Sequence, residues 1–212
     1  MSTSSVGLSD WPDLPGGKSS FGGRCQRRAW PVRRKGMTDT MSEPTSTRNL
    51  DRYGSAELPW SRARAILKSD TPTADLTFFV ATVRPDGRPH SAGVGAVWVD
   101  DALYFTSGPG TLKSRNLAAN PACSVAVRLR GMDLVLEGEA HRVTDPSILE
   151  RLAAVYRTGG WPASVEGDAL TAPYSAPSAG PAPWYLYRMT LRTAVGLAGE
   201  EPHGATRWDF SH

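Results

Sequence analysis

Between Leu76 and Ser107 three β-prone runs follow one another with connections of only four and two residues. A reversal that tight leaves consecutive strands antiparallel neighbours, because a parallel pair needs a crossover of a dozen or more residues. The runs are Leu76–Arg84 (LTFFVATVR), Pro89–Val99 (PHSAGVGAVWV) and Ala102–Ser107 (ALYFTS). Their β-branched and aromatic residues suit a pleated, half-buried surface. Pro85-Asp86-Gly87 and Asp100-Asp101 supply the turn chemistry between them. The three runs are thus predicted to form a meander of hairpins.

The rest of the chain extends this pattern. Pro59–Lys68 (PWSRARAILK) precedes it as a short helix, with Trp60, Ala63, Ile66 and Leu67 on one side. After Gly108-Pro109-Gly110 a helix over Thr111–Ala119 is stopped by Asn120-Pro121. Strands follow at Ala122–Arg130 and Asp133–Thr144. Asp145 then caps a helix with Pro146 at its first position, and Leu149, Leu152, Ala153 and Tyr156 give that helix an apolar stripe. Gly159–Pro183 reads as a long loop, dense in Gly, Pro and Ser. Trp184–Thr190 and Thr193–Gly199 are the last strands, and Gly204–Phe210 is a short tail. About seven strands with helices only at the margins predict a mainly β fold, a closed or nearly closed barrel with short peripheral helices. The alternation of strand and helix that a doubly wound sheet needs is absent.

Residues 1–48 carry almost no apolar periodicity and are rich in Ser, Gly, Pro and Arg, so disorder is expected there, with one folded domain over 49–212. Met37 or Met41 would serve as a natural first residue. Arg27-Arg28 is followed by no apolar stretch of the kind an export signal requires. Seven Lys/Arg and three Asp/Glu fall within residues 1–41, an excess of four positive charges. The whole chain has a net charge of +3, so the remainder sums to −1. A near-neutral domain lacks the basic face that a nucleic-acid partner demands. No apolar run approaches the ~18–20 residues of a membrane span. The two cysteines, Cys25 and Cys123, are far apart, and His90, His141, His203 and His212 are scattered without metal-type spacing. A reduced, cytoplasmic protein without a metal is the expectation.

The chemistry concentrates at the turn from the third strand into the next helix, Tyr104 to Leu117 (YFTSGPGTLKSRNL). Gly108 and Gly110 let backbone come close to another group. The first turn of the helix offers unpaired N–H donors and the positive end of its dipole, a ready anion site suited to phosphate. Thr111 can cap the helix, and Lys113 and Asn116, three apart, can both face the same anion. A plain capped helix with surface cations is the alternative, since such turns are common.

The combined pattern resembles the pyridoxamine 5′-phosphate oxidase-like family, the FMN-binding split barrel. It comprises the strand, the RPDGRP turn, a small-residue strand, LYFTS, the Lys-x-Arg-Asn-Leu helix and Asn-Pro. The likeness covers about Tyr53 to Phe210. It implies a dimeric barrel with the cofactor between subunits. It implies further that Phe105, Thr106 and Ser107 touch the flavin and that Lys113 meets its phosphate. The backbone of Val94, Gly95, Ala96 and Val97 would run along the isoalloxazine ring. True pyridoxamine phosphate oxidases have Arg-Lys where this chain has Leu112-Lys113, and an arginine where it has Ala92 and Gly93. Their C-terminal arginine–histidine motif is replaced here by Ala205-Thr206-Arg207-Trp208-Asp209-Phe210. The Lys-x-Arg-Asn-Leu form is more similar to the actinobacterial subgroup that uses FMN or the deazaflavin coenzyme F420. Vitamin B6 oxidation is therefore the lesser expectation.

Trp161 and Tyr174 within Gly159–Pro183 suit a lid over a flat cofactor, against an ordinary long connection. Trp184, Tyr185 and Tyr187 suit the core or a subunit interface. Arg207 and Trp208 either reach a partner's site or anchor the chain end. No carboxylate pair, Ser-His-Asp set or reactive cysteine stands out. That fits an enzyme whose cofactor carries the hydride while the protein positions it. The expected function is an FMN- or F420-dependent oxidoreductase acting on a small organic substrate as a homodimer. A carrier or sensor without turnover is the alternative.

Overall fold

The computed structural model describes residues 43–71, 76–176 and 179–211. Of the extension expected at 1–48, residues 1–42 lie outside the described residues. Strand β1 (Ser46–Asn49) pairs antiparallel with the last strand of the chain, and the Thr45 N–H donates to the Asp209 carbonyl at 2.8 Å. Paired backbone thus begins ahead of the expected boundary. The reason is non-local: an edge strand presents unpaired N–H and C=O groups, and this short polar segment satisfies them.

After α1 (Trp60–Asp70) come β2 (Phe78–Val83), β3 (Pro89–Val94), β4 (Ala96–Val99) and β5 (Ala102–Ser107). The run Pro89–Val99, expected as one strand, is broken at Gly95. Its first half pairs with β2 and its second with β5. Asp100 and Asp101 hold φ of 49° and 55°, the geometry of a two-residue hairpin turn whose twist matches the flanking strands. Helix α2 (Leu112–Ala119), β6 (Ala122–Leu129), β7 (Met132–Val143) and α3 (Pro146–Thr158) follow. The expected loop 159–183 contains a small hairpin, β8 (Ser164–Glu166) and β9 (Ala169–Thr171), turning at Gly167 with φ of 61°. The two expected last strands are one, β10 (Tyr185–Ala198), with a register shift between Leu191 and Thr193. The expected tail is strand β11 (Gly204–Asp209).

Pairing closes a ring. β6 joins β2 to β7, β7 joins β10, and the first half of β10 joins β5. The bent pair β3 and β4 then returns from β5 to β2. The second half of β10 instead pairs with β11, which splits the barrel wall at the β10 irregularity. Phe78, Val80, Leu103, Phe105, Val125, Leu136 and Met189 fill the interior. Helix α1 packs Trp60, Ala63 and Leu67 at one end, where Trp60 meets Trp98, Trp208 and Phe210. Trp208 is fully buried and donates Nε1–H to the Leu58 carbonyl at 3.1 Å, so the chain end is an anchor. Helix α2 sits at the other end. A second apolar cluster lies outside the wall, where Val97, Tyr104 and Leu186 pack on Leu149, Leu152 and Ala153 of α3. Among the described residues no helix is long and apolar enough to cross a membrane.

Candidate functional site

Thr111 is the N-cap of α2; its Oγ1 accepts from the Ser114 N–H at 3.3 Å. The same oxygen lies 2.8 Å from Ser107 Oγ and donates to the Gly108 carbonyl at 2.9 Å. Ser114 Oγ is 2.8 Å from Ser107 Oγ, so three hydroxyls join the end of β5 to the start of α2. Lys113 lies in this turn, buried at 7% exposure, and desolvation holds its ammonium below the usual lysine range. Among the described residues its ammonium has no hydrogen-bond or ion-pair partner, and its nitrogen is not fully buried, so the stem is covered while the charged tip keeps some access to solvent. Asn116, also buried, donates Nδ2–H to Thr82 Oγ1 at 3.0 Å. Part of its amide is thus turned to the barrel wall. Arg115 is exposed and folds back to the Gly110 carbonyl at 2.5 Å, away from Lys113.

The two glycines differ in what surrounds them. Gly110 has no atom within 4 Å of where a Cβ would stand. At Gly108 that space is taken by the carbonyl of Ala179. The close approach expected there for a phosphate is made by the chain's own returning segment.

A cleft of about 480 Å³ lies outside the barrel wall, between the β4–β5 face and the segment that follows α3. Gly95, Ala96, Val97 and Thr106 form one side; Tyr156, Trp161 and Tyr174 form the other. Strand alternation explains the division of β5. Phe105 points into the barrel, fully buried and stacked on Tyr187 at 5.3 Å, so a ligand reaches its backbone and not its ring. Thr106 points outward into the cleft, and Ser107 points to the α2 hydroxyls. Val94 packs in the interior. Of the sequence-based candidates, then, Gly95, Ala96, Val97 and Thr106 share the cleft. Ser107, Thr111, Lys113 and Asn116 gather at the start of α2, and β5 connects the two groups.

Tyr156 was legible only as part of the α3 stripe, yet it lines the cleft as well. Its hydroxyl donates to the Gly95 carbonyl at 3.4 Å, and burial pushes its pKa up, so it stays neutral. Trp161 donates Nε1–H to the Tyr174 carbonyl at 2.7 Å, and Tyr174 returns its hydroxyl to the Gly160 carbonyl at 3.2 Å. That reciprocal clasp holds the two aromatics together on one side of the cleft. Trp161 also packs edge-on against Tyr156 at 5.2 Å and contacts Trp184 at 5.6 Å. No carboxylate, histidine or cysteine lines the cleft among the described residues, so it offers shape and hydrogen bonds rather than acid–base groups.

No curated protein matches the chain. Among solved structures, a conserved hypothetical protein of Mycobacterium tuberculosis superposes with a TM-score of 0.51 at 16% identity, covering 71% of this chain and 91% of that one. An F420 reductase superposes with a TM-score of 0.42 at 24% identity, covering 62% and 94%. PhzG from Burkholderia lata gives 0.48 at 17% identity, covering 72% and 85%. These likenesses concern the fold. Residues 64–180, more than half of the chain, match the sequence profile described as pyridoxamine 5′-phosphate oxidase, and the chain belongs to that family of split-barrel proteins.

Proposed function

We propose that this protein is an oxidoreductase that binds FMN or coenzyme F420 and acts on a small organic molecule, working as a homodimer in the cytoplasm. The observation that carries the reading is Lys113: a largely covered lysine whose ammonium has no protein partner among the described residues, at the start of a helix. A lysine so placed is relieved by an anion, and helix N–H groups add donors to it. Both cofactors carry phosphate. Lys113, the Thr111 turn and Ser107 would hold that group, and the backbone at Gly95–Val97 would lie along the ring. When bound, the cofactor supplies the hydride chemistry. The chain's part is to position the ring, exclude water with Trp161 and Tyr174, and hydrogen-bond through Thr106.

A dimer is supported by the outer barrel wall. Phe79, half exposed, is in register with Ala126, Val135 and Val195 across four strands, an apolar row on the outer wall of which Phe79 and Ala126 are exposed and Val135 and Val195 partly so. Leu112 in place of arginine leaves fewer cations than vitamin B6 oxidation implies. A carrier without turnover remains the second reading, favoured by the lack of a titratable carboxylate or histidine among the described cleft residues.

The test is the absorbance spectrum of the purified full chain, followed by titration with FMN and with F420. A flavin or deazaflavin band with micromolar or tighter binding is expected. Absence of binding to both would overturn the reading. Reduction of the bound cofactor without transfer to any acceptor would favour the carrier.

A further inference from the structure

We infer that the aromatic side of the cleft selects a neutral, planar aromatic molecule and rejects the anionic form of the same shape. The inference rests on the reading above only in giving the β4 side to the cofactor ring and leaving the opposite side for the substrate.

The polar ends of the three aromatic residues are already engaged. Tyr156 OH is turned to the Gly95 carbonyl, Tyr174 OH to the Gly160 carbonyl, and Trp161 Nε1–H to the Tyr174 carbonyl. What these residues present to the cleft is therefore ring surface. Among the described residues, the free hydrogen-bonding side chains of the cleft are two hydroxyls, Thr106 and Ser175. No lysine, arginine or histidine lines the cleft among the described residues, so a carboxylate or phosphate entering it would lose water and gain no counter-charge. A cation fares no better, since no carboxylate lines the cleft among the described residues. A flat neutral ring loses little water and gains contact with aromatic faces and edges. The volume of about 480 Å³ lies within the usual range of small-molecule sites, roughly 300–1,000 Å³. The cleft thereby differs from the start of α2, where a buried lysine favours an anion. One site thus has an anion-binding end and a neutral aromatic end, joined by Thr106 and Ser107.

An isosteric pair tests the charge preference: naphthalene carboxamide, neutral, and naphthalene carboxylate, anionic at neutral pH. Binding of each to the full chain is measured by calorimetry, without cofactor and with FMN or F420 at saturation. The carboxamide is expected to bind about tenfold or more tightly than the carboxylate, with cofactor present as well as absent. Tyr174→Ala should weaken the carboxamide about tenfold, the scale of one lost aromatic contact, while Tyr174→Phe should not. Equal binding of the pair, preference for the carboxylate, displacement of the carboxamide by cofactor, or no loss in a folded Tyr174→Ala would each overturn the inference. The cofactor titrations separate the two readings. Selective carboxamide binding by a protein that binds neither cofactor would sink the proposed function and leave this selectivity standing.

Discussion

A Cβ on Gly108 would collide with the carbonyl oxygen of Ala179, so the segment returning from the cleft crosses directly over the turn between β5 and α2. This contact ties the aromatic side of the cleft to the turn that carries Thr111 and Lys113. Gly108→Ala should therefore displace the crossing segment and lower stability by about 1–3 kcal/mol, the usual scale of an overpacked position. Gly110→Ala is the matched control. It meets no atom within 4 Å and should be neutral or slightly stabilising. Denaturant melts of the two variants measure the difference.

The apolar row Phe79–Ala126–Val135–Val195 on the outer wall predicts where subunits meet. Phe79→Glu puts a charge into that row without touching the core, since Phe79 is already 52% exposed. Sedimentation should shift from dimer toward monomer at micromolar concentration, with the circular dichroism spectrum kept. A dimer of unchanged affinity would place the interface elsewhere.

Cys123 is buried, and burial pushes its thiol pKa up to about 12. Alkylation requires the thiolate. Iodoacetamide at mildly alkaline pH should leave Cys123 unmodified in the folded protein and label it after denaturation, as read by peptide mass spectrometry. Rapid labelling of the native protein would show that β6 opens.

Much of the barrel was readable because its determinants are local. Ala102–Ser107 has a two-residue turn before it and Gly108 after it, and β5 occupies that span. Asp145 and Pro146 fixed the start of α3 by capping chemistry, with Asp145 Oδ1 accepting from the Ser147 and Ile148 N–H groups. What the chain did not reveal depends on distant partners. Gly95 breaks Pro89–Val99 because the two halves pair with different strands to close the ring, a constraint absent from any window of sequence. Leu191-Arg192 looked like a gap between strands, whereas β10 runs through it and stays paired with β7 across a register shift. The β8–β9 hairpin had a signal, Gly167-Asp168 between Ser-Val-Glu and Ala-Leu-Thr, that the surrounding glycines and prolines obscured. In the candidate site, the gathering of Ser107, Thr111, Lys113 and Asn116 at one strand-to-helix turn was legible, because the turn is local. Tyr156 was not, since a residue at stripe spacing on a helix looks like any core residue.

Lys113 carries the sharpest expectation, because binding and stability should move in opposite directions. Its side chain is largely covered, its ammonium has no protein partner among the described residues, and desolvation depresses its pKa. A hydrogen bond to a charged group is worth ~1.5–3 kcal/mol, so Lys113→Ala should weaken FMN or F420 binding about tenfold to a hundredfold. Arg115→Ala, which removes an exposed guanidinium held on Gly110, should have a smaller effect. Without cofactor the sign reverses. A lysine whose folded pKa lies below its unfolded value opposes folding while it is protonated. The unfolded chain then binds more protons than the folded one between the two pKa values, so stability rises with pH through that alkaline window. Lys113→Met, which keeps the volume and removes the charge, should melt higher than wild type at neutral pH. The gap should narrow as pH approaches the unfolded lysine value, near 10.5. Tyr156, with its raised pKa, is lost from the comparison because both proteins carry it. Thermal melts of the two proteins from neutral to alkaline pH, in parallel with cofactor titrations, decide the matter. A Lys113→Met protein that binds cofactor as tightly as wild type would remove the anion site from α2. One that melts lower at every pH would show that the ammonium already has its charge compensated.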